Sequence, residues 1–261
     1  MLAAKFRMGE GSEAAHWYLP GEYPQAAYEI LGVNGHWRST NVGDARKYGL
    51  VPSVTTILRC ASRPGLEKWQ RRQAILSALT HPLAGEIKDA EELMAVIELD
   101  AAQQAKQAAA RGTLIHAAVE AFYAGGDVPL ELTESVSAIR EAISGIHAPA
   151  QDWTPEVLAT SDLGYGGRID LVCDVGQGIV VDLKGQAFEH EKDAKAWPEY
   201  ALQLAAYREA IGRPQAQCWN VIFSRTHPDR VKAIRWGGEE LTRGWRAFYA
   251  LLEYHRIVNR L

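Results

Sequence analysis

The chain has 261 residues, 47% of them hydrophobic, and a formal net charge of −4. That length supports one large buried core, and the charge excludes polyanion binding through net charge alone, so any nucleic-acid contact has to come from local basic patches or a bound metal. The three cysteines, Cys60, Cys173 and Cys218, lie far apart without CxxC spacing, which excludes a four-cysteine iron–sulfur cluster within one chain and reads as free thiols in a reducing compartment.

In chain order, residues 1–50 are rich in Gly, Tyr and Trp and read as an N-terminal appendage of short strands joined by turns. The first 20 residues, with Glu10 and Glu13 and no apolar h-region, do not read as a signal peptide. No run approaches the ~18 apolar residues of a membrane span, so the expectation is a cytoplasmic protein without membrane contact. Residues 51–261 read as one domain that includes a helical insertion over 64–124. Pro64 opens "PGLEKWQRRQAILSAL", with Leu66, Trp69, Ile75 and Leu79 roughly on one helix face and Lys68, Arg71 and Arg72 on the other. A longer Ala-rich helical region runs from about Asp89 to Tyr123, with a break expected near Arg111-Gly112 and a stop at "AGGD".

From Pro155 the period changes from 3.6 to 2. "PEVLATSD", "GGRIDLVCDV" and "GIVVDLKG" read as successive strands, the last two joined by a tight "GQG" turn into an antiparallel hairpin. A helix over "WPEYALQLAAYREAIG", strands over "AQCWNVIFSR" and "RVKAIRW", and a closing helix over 239–259 complete a mixed α/β layer fold.

Residues two apart on a strand share a face, so Asp182 and Lys184 emerge side by side with Leu183 turned to the opposite layer. If the hairpin brings Asp170 alongside Asp182, two carboxylates meet, and such a pair repels unless a proton or a divalent cation lies between them. Oxygen ligands favour Mg²⁺ or Mn²⁺ over zinc, and such an ion polarises a phosphodiester and activates a bound water. The competing reading is an exposed hairpin in which Lys184 merely pairs with Asp182; the apolar "GIVV" before Asp182 places the acid at the end of a buried strand and weighs against it. His116 and Glu120, and likewise Gln203 and Tyr207, are four apart and share a helix face. Taken singly, His116 reads as a satisfied helix histidine and Tyr207 as the edge of a core.

In order, "GTLIHAAVE", "GGRIDLV", "VVDLKG" and "QLAAY" resemble the RecB-like branch of the PD-(D/E)XK nuclease superfamily, over roughly residues 110–223. "VPSVTTILRCASRPGLEKW" also resembles the segment before the nuclease core in bacteriophage and mitochondrial genome-maintenance-type exonucleases, extending the match to about residue 51. The resemblance implies a restriction-endonuclease-like core, a mixed central sheet flanked by helices with helical N-terminal additions. It implies that Asp170 and Asp182 ligate one or two Mg²⁺ or Mn²⁺ ions with the Leu183 carbonyl, and that Lys184 is the catalytic lysine. His116 is then a further ligand or steadies the site, with Glu120 beside it, Gln203 and Tyr207 line the pocket and position DNA, and Glu156 ranks last as an acidic member. Where many relatives carry Trp and Thr, this chain has Leu183 and Gly185. The cluster cysteines of several relatives are missing too, and there is no Walker P-loop.

The activity implied is a metal-dependent DNA exonuclease of recombination, repair or replication, of phage or prophage type, with a recombination or single-strand-binding protein as partner. A structure-selective or nicking endonuclease is the rival within the class, and a catalytically silent DNA-binding module the rival outside it. Arg59, Arg63, Lys68, Arg71 and Arg72, set against Glu67, form a candidate phosphate track. Arg225 and Arg230, in a segment closed by Trp236, form a second candidate or else a solvated hairpin. Ser53, Thr55 and Thr56 either donate to phosphate or cap the following helix.

Overall fold

The computed structural model of the protein describes residues 5–7, 17–20, 29–61, 64–80, 87 and 89–259. Strands β1 (Phe6–Arg7), β3 (Glu29–Leu31) and β4 (Trp37–Ser39) form a small antiparallel sheet, and β2 (Trp17–Tyr18) pairs with β5 (Val51–Pro52). The expectation of strands alone before residue 50 needs correcting, because α1 (Val42–Tyr48) is a helix. Asn41 and Asp44 close a capping box at its start, and Gly49, at φ 68°, supplies the left-handed residue that ends it. Next come the short helix α2 (Val54–Leu58), α3 (Pro64–Thr80) and α4 (Ala90–Tyr123). α4 is unbroken through Arg111-Gly112, where a break was expected. Ile75 and Leu79 on α3 are exposed; the side chains of Leu66 and Trp69 lie outside the described residues.

Then follow α5 (Thr133–Ser144), β6 (Trp153–Ser161), β7 (Tyr165–Cys173), β8 (Ile179–Gln186), α6 (Pro198–Ala210), β9 (Gln217–Ser224), β10 (Val231–Arg235) and α7 (Gly238–Asn259). The strands form a five-stranded mixed sheet, order β10-β9-β8-β7-β6, in which only β8 and β9 run parallel. A parallel pair needs a crossover, and α6 supplies it. The mixed central sheet flanked by helices expected from the sequence is present. Between β7 and β8, Gly176 and Gly178 take positive φ (63° and 91°), which accounts for both glycines of the "GQG" turn.

Contacts divide the chain into two units, Met1–Cys60 with Ile115–Leu261, and Ala61–Leu114. In the first, two apolar cores sandwich the sheet. α5 and the Ile115–Tyr123 part of α4 place Ile115, Val119, Val136, Ile139 and Ile143 against Leu171, Val181, Leu183 and Val221. On the other face α2, α6 and α7 place Ile57, Leu204, Phe248 and Leu252 against Ile169, Val172, Val180 and Cys218. The start of β8, residues 179–181, buried on both sides, therefore reads as an apolar run. α6 and α7 meet at Gly244, where a Cβ would come within 2.8 Å of the Ala201 carbonyl oxygen. The second unit holds α3 and the Ala90–Leu114 part of α4. Among the described residues no helix is long and apolar enough to cross a membrane.

His255 on α7 is buried against the Trp17 indole, with ring centroids 5.9 Å apart. Its Nδ1 finds no partner among the described residues, and burial pulls its pKa below the ordinary 6.5. Well above pH 6.5 the ring is neutral in folded and unfolded chains alike. As pH falls from there to the lower folded value, the unfolded chain takes up the proton first, so stability declines over that window. His255→Phe is expected to flatten the acid side of the Tm-versus-pH curve, as checked by thermal melts; parallel curves for the two proteins would contradict this.

Candidate active site at a forked strand pair

β7 and β8 share three ladder positions, Leu171↔Val181, Val172↔Val180 and Cys173↔Ile179. Beyond them β7 continues against β6 as far as Ser161↔Tyr165, and β8 continues against β9 as far as Gln186↔Ser224. The pair thus forks at its next position, with Asp170 on one arm and Asp182 on the other. A side chain bridges the arms there, as the Leu183 N–H donates to Asp170 Oδ2 at 2.6 Å. Both acids are buried, Asp170 to 7% exposure and Asp182 to 1%. At those values each carboxylate depends on its bonded neighbours in place of water.

Asp182 is densely bonded. Lys184 Nζ, on the same face of β8, lies 3.0 Å from its Oδ1 and 2.9 Å from its Oδ2. Asn220, its register partner on β9, donates through Nδ2 to Oδ2 at 2.6 Å and to the Asp182 carbonyl at 3.1 Å. Trp236 Nε1 in turn donates to Asn220 Oδ1 at 2.7 Å. Lys184 Nζ also sits 5.4 Å from the centroid of Tyr200 at the start of α6. Burial raises the Tyr200 pKa, with the Lys184 ammonium pulling the other way.

From α4, His116 Nδ1 comes 3.8 Å from Asp170 Oδ2 and the ring meets Phe223 edge-on. Glu120 follows one turn later, partly buried. On α6, Gln203 Nε2 donates to Tyr207 Oη at 2.9 Å, and both residues are buried. The Tyr207 ring lies on Gly167, where a Cβ would come within 2.5 Å of Cε1. Glu156 stands across from Asp170 in the β6–β7 register, between Pro155↔Leu171 and Val157↔Ile169, and is ion-paired with Arg168. Its φ of 53° is the one positive value at a non-glycine among the described residues. A small cleft beside Gly167 is lined by Tyr18, Ser53, Thr55, Arg168 and Tyr207.

Of Ser53, Thr55 and Thr56, Ser53 caps α2. Ser53 Oγ accepts the Thr56 N–H at 3.0 Å and bonds the Thr55 and Thr56 hydroxyls. Arg59 is exposed at the end of α2, Lys68, Arg71 and Arg72 are exposed on α3 in the other unit, and Arg63 lies outside the described residues. Arg225 is partly buried, which lowers its pKa, whereas Arg230 is exposed beside Asp229. Trp236, read as a partner of the basic run, is partly buried and bonded to Asn220. Sequence reasoning missed Asn220, Tyr200 and that role of Trp236. Asn220 left a signal, an amide inside the apolar strand "AQCWNVIFSR"; the other two left none.

The donor set suits a hard cation. Among the described residues no three His, Cys, Asp or Glu side chains converge as a ready cage. Mg²⁺ does not need one, since it keeps several waters and takes one or two carboxylates together with substrate phosphate. Two buried carboxylates at one fork, with an ammonium against one of them and a single imidazole nitrogen, His116 Nδ1, near the other, form a mainly oxygen donor set without the sulfur ligands frequent at zinc.

No family model matches the chain, and no curated protein matches it. Among solved structures it is similar to the crystal structure of SSO0001, at 16% identity over 44% of this chain and 58% of that one, with a TM-score of 0.28. It is similar also to a protein of Eubacterium rectale named as a putative exonuclease, at 15% identity over 57% of this chain and 68% of that one, with a TM-score of 0.39. The chain thus spans under two thirds of the first of these, and neither likeness assigns it an activity.

Proposed function

We propose that this protein is a Mg²⁺- or Mn²⁺-dependent deoxyribonuclease of the RecB-like PD-(D/E)XK type, acting as an exonuclease on DNA ends or single strands. The observation that carries the reading is the β7–β8 fork, which assembles Asp170, Asp182 and Lys184 where the strands part. Asp170 and Asp182 would hold the cation, with the Leu183 carbonyl. When bound, the ion supplies Lewis-acid polarisation of the phosphodiester and of the attacking water. Lys184 delivers a positive charge to the reacting phosphate and helps orient the nucleophile. His116 steadies Asp170, with Glu120 one turn away, while Gln203 and Tyr207 hold each other rigid behind Gly167. In this reading Glu156, ion-paired with Arg168, is a further acidic member ranked below the others.

DNA would be held through phosphate contacts from Arg59, Arg225 and Arg230, with Lys68, Arg71 and Arg72 as a separate candidate track on α3, so affinity should fall steeply with salt. The test is digestion of single- and double-stranded DNA labelled at the 5′ or the 3′ end, alongside covalently closed circles, in Mg²⁺, Mn²⁺ or EDTA. Linear DNA is expected to be shortened from its ends in either metal and spared in EDTA, with circles intact. Efficient cutting of circles would replace the exonuclease reading with an endonuclease. Absence of cleavage in every condition would overturn it.

A further inference from the structure

We propose that Asn220 and Trp236 are positioning residues for Asp182, acting as a two-step clamp that sets the orientation of its carboxylate from the neighbouring strand. An indole N–H is a donor and nothing else, so Trp236 Nε1, 2.7 Å from Asn220 Oδ1, fixes which end of the amide faces it. The amide nitrogen must then face the other way, and there it finds Asp182 twice, at Oδ2 (2.6 Å) and at the main-chain carbonyl (3.1 Å). One amide therefore ties the side chain and the backbone of the same acid.

The fold makes the arrangement rigid. Asp182 and Asn220 are register partners in the parallel β8–β9 pair, so their Cα atoms cannot drift apart without breaking the sheet. Asn220 is wholly buried. A buried amide with each end engaged has a single low-energy orientation, since a flip would place donor against donor at Trp236 and acceptor against acceptor at Asp182. Trp236 is anchored in turn where the chain leaves β10, its main-chain N–H donating to the Cys218 carbonyl at 3.0 Å. Lys184 approaches Asp182 from the same strand, on a long flexible stem. Asp182 thus has a fixed donor in Asn220 and a movable one in Lys184. The clamp lets Lys184 turn toward another charge while the carboxylate keeps its place.

This rests on the nuclease reading for its catalytic consequence but not for the clamp itself, so two readouts separate them. The first is the resonance of the Trp236 indole N–H in a ¹H–¹⁵N spectrum of the whole protein, assigned by its loss in Trp236→Phe. It is expected to move in Asn220→Ala and in Asp182→Asn, and to respond when Mg²⁺ is titrated into the wild-type protein. An indole signal indifferent to Asp182→Asn and to Mg²⁺ would overturn the clamp, whatever the protein hydrolyses.

The second readout is DNA cleavage as a function of Mg²⁺ concentration. Asn220→Ala is expected to lower activity or raise the half-saturating Mg²⁺ by about 10–100-fold, the usual cost of losing a partner of a metal-binding group. Trp236→Phe, which keeps the ring and removes only the donor, should produce a smaller loss of the same kind. The double variant should be no worse than Asn220→Ala alone, because Trp236 acts only through Asn220. Multiplying losses, or activity and Mg²⁺ dependence both unchanged in the two single variants, would refute the clamp. If Asn220→Ala fails to fold, Trp236→Phe still decides the question by cleavage, and Asp182→Asn with the Mg²⁺ titration decides it by the indole signal.

Discussion

Asp182→Asn is expected to reduce phosphodiester hydrolysis in Mg²⁺ by about three orders of magnitude, the scale of removing a principal electrostatic group from an active site. The substitution preserves shape, and the new amide oxygen can still accept from Asn220. Its NH₂ then faces the Lys184 ammonium, which relieves the donor–donor contact by swinging toward solvent, its side chain already being 19% exposed. Melting should therefore shift by only a few degrees while activity collapses, roughly 4 kcal/mol at the transition state. Lys184→Ala should match it in activity but differ in metal binding. Lys184 lies against both oxygens of Asp182 and competes with any cation there, so Mg²⁺ affinity by calorimetry should hold or rise in Lys184→Ala and fall in Asp182→Asn. Wild-type rates in either purified variant would remove Asp182 and Lys184 from the mechanism.

Gly167→Ala is expected to damage both stability and activity by moving Tyr207. The added Cβ would lie 2.5 Å from Tyr207 Cε1 and 3.2 Å from Cδ1. The ring is buried and its hydroxyl accepts from Gln203, so it has little room to retreat. Overpacking of this kind costs about 1–3 kcal/mol, or about 2–4 °C in Tm for each kcal/mol in a domain of this size. A ring displaced by ~1 Å should also lower cleavage by up to a hundredfold if Tyr207 positions substrate. Trimming the ring in a Gly167→Ala/Tyr207→Leu double variant should restore much of the stability and none of the activity. Recovery of both would assign Tyr207 a packing role only.

Elements from Trp153 to Asn259 were legible because each carried an unmixed period, as in "GIVVDL" for a strand buried on both faces and "YALQLAAY" for a helix on the sheet. α5 went unread although Val136, Ile139 and Ile143 repeat at helical spacing and all three are buried; it is short and follows the turn signal "AGGD" closely. α1 was hidden by its neighbours, since Gly, Tyr and Trp around it suggest turns and strands while its own evidence is the pair of caps Asn41/Asp44 and Gly49. α4 keeps its helix through Gly112, where local propensity favoured a break. One glycine costs ~1 kcal/mol in a helix interior, which hydrogen bonds on both sides outweigh.

What the amino-acid order determined by itself was which residues share a face: Asp182 with Lys184 at spacing two, His116 with Glu120 and Gln203 with Tyr207 at spacing four. Those relations follow from backbone geometry alone. Only the tertiary structure decided that β7 and β8 part at Asp170 and Asp182, that Asn220 stands in register beside Asp182, and that Trp236 bonds Asn220. Strand register and sheet order join residues dozens of positions apart, and no local spacing encodes them.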